Sequence, residues 1–486
     1  MPCAKLSGIK TERELILDAS VQATRPRRIL AESGKQLMED RVVKRMLWIA
    51  LLSLVLCLGS TASPSHLTQS VAGGVAGVPS DARQESFDIV WRTVRDKHFD
   101  PTLGGLDWNK VREQYSPRAA AAKSNTEFYD VLRQMLGELH QSHFNIIPPE
   151  AIVQDDSPEP KGGGIGIDLR LIEGQAIINH VEQGSKAAAA GLRPGFVIKK
   201  IDDLLTETVI ESYSKSKESG PITRLRITRA LLARINGAPE TSVRIAYLDE
   251  RDQPREATIA RERLKGEMSP RMGNFPPQYS ELETTQLAGG IGYIRFNVFV
   301  ISLMDRIRAA IRRMNDAPGL VIDLRGNPGG LGGMAQGIAG VLEQEQTSLG
   351  TMHMRSGHIN FSVFPQPGSY PGPVVILTDG GSASTSEIFA GGMQEIGRAL
   401  VVGERTAGAA LPSYFQKLPT GALFQYAIGD FKTPKGTLIE GRGVAPDVEV
   451  KLTRRSLLDG RDAQLDAAIE QIKKHSNERK AAAARS

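Results

Sequence analysis

The sequence predicts a mixed α/β fold, and three observations carry the prediction. Between residues 290 and 450, strand and helix signals alternate. Before that stretch, residues 161–262 hold a block of short alternating strands. Before that again, from Ser86 to about Gln141, apolar residues recur with the period of a helix. Alternation of the two element types argues for a parallel or mixed sheet covered by helices.

Residues 1–62 read as a leader. Arg41, Lys44 and Arg45 precede the apolar run Met46–Leu58, and Ser60-Thr61-Ala62 supplies a small-x-small cleavage pattern. The run is short for a membrane span and suits a secretory signal; the alternative is an uncleaved anchor over residues 46–62. Met38 would give such a signal its usual short basic lead, so translation is expected to start there rather than at Met1 or Met46. Both cysteines, Cys3 and Cys57, fall in the leader. The mature chain is therefore expected to carry no disulfide, no catalytic thiol and no Cys metal site. Export without disulfides points to a bacterial periplasm or to secretion.

The formal net charge of +5 is concentrated at the front. Residues 1–62 are net +4, which leaves +1 for residues 63–486. So neutral a body offers no electrostatic case for nucleic acid.

Residues 63–82, with Pro64, Gly73, Gly74 and Pro79, read as a linker. Residues 83–150 read as an N-terminal helical subdomain, with Phe87, Val90, Trp91 and Val94 on one apolar face and Phe128, Val131, Leu132 and Met135 on another. In residues 161–262, strands are expected at 176–178, 197–201 and 243–247, interrupted by a helix over Thr223–Ile235. In the core, residues 275–455, strands are expected at 292–296, 320–324, 374–377 and 399–402, with helices at 302–314, 334–342 and 384–396. A closing helix over 456–474 and a frayed tail over 480–486 complete the chain.

One segment carries candidate chemistry. Val374-Val375-Ile376-Leu377 runs into Gly381-Ser382-Ala383-Ser384-Thr385-Ser386-Glu387 and then into a helical pattern. A buried strand, a tight turn of small residues and a helix would lift a serine hydroxyl to the rim of a sheet. The free N–H groups of the helix start would lie close behind it. A Ser-rich helix cap is the plainer reading of this run alone.

Three segments together resemble the carboxy-terminal processing (tail-specific) serine protease family. They are the run around Ser384, the turn Asp323-Leu324-Arg325-Gly326-Asn327-Pro328-Gly329-Gly330, and Gly441-Arg442-Gly443-Val444-Ala445-Pro446-Asp447. Residues 162–202 look like the PDZ module of that family, with Gly164, Ile165, Gly166 and Ile167 as its carboxylate-binding loop. The resemblance spans roughly residues 84–474. It implies a crotonase-like ββα core with an N-terminal helical subdomain and an inserted β-rich PDZ-like domain.

One departure selects the mechanism. Members with a Ser-Lys dyad place the lysine where this chain has Ala409, and Lys417 is displaced into a different pattern. The chain instead resembles the tricorn-like Ser-His branch. The resemblance implies a tetrad of Ser142, His143, Ser384 and Glu440, with Ser384 as nucleophile and His143 as general base. A neutral imidazole can take the serine proton, and a carboxylate acting through a second hydroxyl can orient it. Thr385 and either Gly329 or Gly330 are expected to supply oxyanion N–H groups. His140, one turn from His143, reads as a structural or substrate-side residue rather than a metal ligand, because no third ligand and no zinc-peptidase spacing accompany it. Asp323 and Arg325 read as a structural ion pair, Glu395 as scaffold and Arg442 as an exposed loop charge.

The expectation is an exported serine endopeptidase with no metal and no organic cofactor, acting on protein or peptide substrates. The PDZ-like module would bind substrate termini, with the helix at 223–235 either adjusting that groove or serving as a solvent-facing spacer. Membrane association through the leader and an unspecified oligomer stay open. A catalytically inactive peptide- or lipid-binding relative is the competing reading. A coenzyme A enzyme of crotonase type is a third, and the Ser384 turn argues against it.

Overall fold

A computed structural model describes residues 80–152, 162–214 and 221–483. The expected leader and nearly all of the expected linker lie outside these residues. The linker's last residues do not: Ser80–Lys97 is already a helix, with Asp81 in its first turn, where a negative charge suits the helix dipole.

That helix packs with Trp108–Ala121 and Asn125–Gly137, whose first turns are capped by Asp107 and Ser124. Phe87, Trp91, Phe128, Leu132 and Met135 form one buried cluster with Phe424 and Tyr426, which belong to the far end of the chain. The strand Asn145–Ile147 pairs antiparallel with Leu423–Ala427, Ile146 opposite Phe424. This pairing anchors the segment around residue 143 to the later part of the chain.

Residues 162–263 form a β-rich module. Its antiparallel sheet runs in the order Ile167–Ile172, Gln175–Val181, Val197–Ile201, Ser242–Leu248, Pro254–Ala260. The helix Pro221–Ile235 inserts Ile227, Leu231 and Ile235 into this module's core. Its other side is not a solvent-facing spacer. Ile222 and Leu225 cluster with Ala383, Ala407 and Ala409, so the helix bridges the module to the turn that precedes Ser384. Ion pairs reinforce the bridge: Arg170 to Asp379 (2.5 Å) and Arg295 to Asp168 (2.7 Å).

The core is a six-stranded sheet in the order Leu282–Gln286, Gly292–Phe296, Leu320–Asp323, Val374–Thr378, Ala399–Gly403, Val448–Glu449. The first pair is antiparallel and the rest are parallel. A parallel sheet must be covered on both faces, and the two-residue side-chain period shows how. Ile294, Ile322, Ile376 and Val401 face helices Ile301–Arg313, Gly332–Ala339 and Thr385–Glu395. Tyr293, Val321, Val375, Leu377 and Val402 face the last helix through Ala468 and Ile472.

The closing helix differs from expectation. Gly460 adopts φ +69° and splits it into Arg454–Leu458 and Ala463–Ala483. Asp462 accepts from Leu465 N–H (3.0 Å) and restarts the helix. Helical backbone continues to Ala483 rather than fraying at 480; residues 484–486 lie outside the described set.

Candidate active site

Strand Val374–Thr378 is wholly buried and ends in the Asp379–Ala383 turn; helix Thr385–Glu395 follows at once. This is the carboxyl end of a parallel sheet, where open α/β folds keep their sites. Ser384 sits at the junction with φ +55° and ψ −120°. For a residue with a Cβ this conformation is strained, on the order of 1–3 kcal/mol.

The neighbouring hydroxyls are spent. Ser382 Oγ donates to Leu324 C=O (2.7 Å), Ser386 Oγ to Asn327 C=O (2.9 Å) and Thr385 Oγ1 to Gly330 C=O (2.8 Å). Ser384 Oγ donates no hydrogen bond among the described residues; in the capping box it forms with Glu387 it faces the Glu387 N–H as an acceptor, so its proton is unspent, and Ser384 remains half-buried. Glu387 forms the other half of the box and holds the turn. Its carboxylate accepts from Ser384 N–H (3.0 Å), Thr406 Oγ1 (2.5 Å), Gly408 N–H (2.8 Å) and Ala409 N–H (2.9 Å). Four donors suit only the anion, although complete burial pushes this carboxyl up to about 7. The Ser384-x-x-Glu387 spacing is a capping-box signature that could have flagged Glu387 in the sequence.

From the other end of the chain come Ser142 and His143. His143 has φ +60° and half-buried side-chain surroundings. Ser142 Oγ lies 2.7 Å from His143 Nδ1 and donates to Glu440 Oε2 at 2.9 Å. Glu440 also accepts from Ser142 N–H (2.8 Å) and Ala410 N–H (2.9 Å). The Ser142 hydroxyl has one proton, and Glu440 takes it. Nδ1 must then be the donor to Ser142 Oγ, so the network assigns the Nδ1–H tautomer and leaves a lone pair on Nε2.

The environment sets the charges. Desolvation in the cleft, and secondarily the charge of Arg229, hold the His143 imidazole down to about 4. Burial pushes the Glu440 carboxyl up, against the pull of its N–H donors and of Arg226.

Ser384 joins this group through the backbone. Ser384 N–H donates to Ala409 C=O (2.8 Å), and the next residue, Ala410, donates to Glu440. The structure thus links Ser142, His143 and Glu440 directly and ties the backbone of Ser384 to the loop that bonds Glu440. Among the described residues, no hydrogen bond joins His143 to Ser384. Ala409 is buried against Ala383 and Leu225, while Lys417 is exposed in the strand Ser413–Lys417.

The glycine turn lies against the nucleophile. Gly329 has φ +92°, and a Cβ there would sit 2.7 Å from Ser384 Cβ and 2.7 Å from Thr385 N. Its N–H is already given to Asn327 Oδ1 (2.9 Å). The N–H groups of Gly330 and Thr385 make no hydrogen bond among the described residues. Asp379 Oδ1 ties the two turns together by accepting from Gly326 N–H and Gly381 N–H, both at 2.8 Å.

The remaining sequence candidates are not at the centre. Asp323 and Arg325 form a buried ion pair, extended by Tyr293 and Asp462. Glu395 accepts from Lys435 N–H (2.7 Å), and His140 and Arg442 are exposed. In the β-rich module, Gly166 has φ +80° and a Cβ would meet Ser185 Cβ at 2.3 Å, which explains the glycine in the Gly164–Ile167 loop. Asp379, Arg226 and Arg229 went unnoticed in the sequence, because nothing in their local pattern marks them.

Comparison with known proteins finds family matches over two parts of the chain. Residues 290–450 match the family model described as peptidase family S41, and residues 79–137 match the tricorn protease C1 domain. The chain is a serine-type peptidase with a peptidase family S41 domain over residues 290–450. The chain is 26% identical over 388 residues to a carboxyl-terminal-processing protease of Synechocystis sp., covering 78% of this chain and 84% of the relative. It is also 26% identical over 411 residues to a putative tricorn protease homolog 2 of Streptomyces coelicolor, covering 80% of this chain and 32% of that one. Among solved structures, the photosystem II D1 C-terminal processing protease superposes with a TM-score of 0.52 at 22% identity, over 76% of this chain and 93% of that one. Mature CPAF superposes at 0.56 with 14% identity, over 82% and 96%. At such identities the superpositions speak for the fold alone.

Proposed function

We propose that this S41 peptidase is an endopeptidase that cleaves through an acyl-enzyme on Ser384, with His143 as general base and Glu440 acting on His143 through Ser142. The observation that carries the reading is the chain Glu440–Ser142–His143, which leaves Nε2 as an acceptor and is tied through Ala409 and Ala410 to the backbone of Ser384, whose hydroxyl proton is unspent. Substrate binding has one contact to complete, from Ser384 Oγ to Nε2. Such contacts are often loose in free enzymes and tighten in the substrate complex.

In this mechanism Ser384 Oγ attacks the scissile carbonyl carbon as Nε2 takes its proton. The carbonyl oxygen becomes anionic and is met by Gly330 N–H and Thr385 N–H. The imidazolium is stabilised through Ser142 by Glu440 and returns the proton to the departing amine. A water, deprotonated by His143, then hydrolyses the ester and restores the serine. No lysine takes part, since Ala409 stands at that point. The β-rich module reads as PDZ-like. An extended peptide adding along Ile167–Ile172, beside helix Pro221–Ile235, would be led toward Gly326 and Gly381. Export to a periplasm or beyond follows from the basic lead and apolar run at residues 41–62; among the described residues no helix is long and apolar enough to cross a membrane.

The test is covalent labelling with a fluorophosphonate followed by mass spectrometry. Modification at Ser384, lost in Ser384→Ala and strongly slowed in His143→Ala with folding intact, supports the reading. Full labelling of His143→Ala refutes the assignment of the base.

A further inference from the structure

We propose that Arg229 receives an acidic side chain of the bound peptide close to the scissile bond, so that this peptidase selects substrates with Asp or Glu there. The inference rests on the catalytic reading above and adds the substrate class.

A cavity of ≈ 160 Å³ lies between the β-rich module and the core. Helix Pro221–Ile235 lines it with Leu225, Thr228 and Arg229, and the two site turns line it with Gly326, Pro328 and Gly381. Leu225 also packs on Ala383 and Ala409, the residue before the nucleophile and the residue that bonds its backbone. The cavity therefore reaches both site turns, at Gly326–Pro328 and at Gly380–Gly381, three residues before the nucleophile.

Its wall holds five arginines. Arg170 pairs with Asp379, Arg295 with Asp168, and Arg325 with Asp323 and Asp462, while Arg224 reaches Glu404 at 4.0 Å. Arg229 makes no ion pair and no hydrogen bond among the described residues, and its side chain is exposed in the cleft.

The Arg229 guanidinium stands among like charges. Arg226, one turn earlier on the same helix, is a like charge within electrostatic range. Arg229 also opposes the positive charge that His143 must acquire during turnover. Both costs vanish when a carboxylate sits on Arg229. The planar fork of its N–H donors matches a carboxylate with two parallel bonds. A substrate carboxylate would then anchor the peptide and relieve the imidazolium in one contact.

The experiment uses the full chain with Ser384→Ala, so that binding is read without turnover. A fluorescent nonapeptide with one central Glu is compared with its Gln twin, each as free acid and as C-terminal amide. The expected result is affinity at least about tenfold higher for a carboxylate peptide than for its neutral partner. Arg229→Gln collapses that ratio toward one, and Arg229→Lys restores part of it. The Glu/Gln pair is expected to respond; a response of the acid/amide pair alone places a chain terminus there and overturns the proposal. Equal affinities in the Arg229 protein, or a ratio that survives Arg229→Gln, overturn the proposal. Because Ser384 is absent throughout, a failure here is distinct from a failure of Ser384 labelling.

Discussion

Removing one hydroxyl tests the relay most cleanly. Ser142→Ala deletes the Oγ that accepts from His143 Nδ1 at 2.7 Å and donates to Glu440 at 2.9 Å. The backbone bond from Ser142 N–H to Glu440 Oε1, 2.8 Å, survives, so the loop keeps its position. What is lost is confined to the base. Nδ1–H is left without an acceptor in a cleft where desolvation already dominates, a cost of about 1–3 kcal/mol. The imidazolium formed during attack also loses its link to a carboxylate, a charge-assisted bond of similar size. Together about 3 kcal/mol of barrier is at stake, roughly a hundredfold in kcat/KM. The assay pairs peptide hydrolysis with the second-order rate of fluorophosphonate labelling, and thermal unfolding confirms an unchanged fold. Ser142→Thr, which restores a hydroxyl, should recover most of the loss. If Ser142→Ala keeps more than about a third of wild-type activity, the hydroxyl carries no relay and Glu440 is merely a loop brace.

Two further outcomes follow from the same geometry. The base must be neutral, and the cleft holds His143 down to about 4 rather than near 6.5; kcat/KM should stay flat as pH falls from 7 to about 5 and drop as it passes through about 4. A limb near pH 7 would instead mark Glu387, whose carboxyl burial pushes up to about 7, as the controlling group. Gly329→Ala places a Cβ 2.7 Å from Ser384 Cβ at a backbone φ of +92°, so it should give a folded protein with at least a hundredfold loss of kcat; Gly333→Ala, where nothing lies within 4 Å of the new Cβ, serves as the matched control.

Much of this fold was legible because it is written locally. The strands at 292–296 and 197–201 are where the apolar pattern places them, since a strand buried on one or both faces has no other way to satisfy its period. The closing helix was misread because its period persists across Gly460, and only the left-handed φ of that residue breaks it. The expected linker overran into helix at Ser80 because glycine and proline mark where order stops only approximately. Gly329 and Gly330 could not be told apart from sequence. Their difference is a single hydrogen bond, Gly329 N–H to Asn327 Oδ1, which depends on how the turn folds back on itself.

The site also shows what a one-dimensional reading omits. Ser142 and Glu440, 298 positions apart, meet because Asn145–Ile147 pairs with Leu423–Ala427, a contact encoded by two short strands with no local sign that they belong together. Asp379 is likewise silent in sequence, yet it bonds the glycine turn, the nucleophile turn and Arg170 of the β-rich module at once. A buried carboxylate held by three donors on three segments resists any displacement of one segment without the others. The positions of Gly326, Gly381 and the module are therefore mechanically coupled, and the strained φ of Ser384 persists because that frame, together with Glu387, leaves it no relaxed alternative.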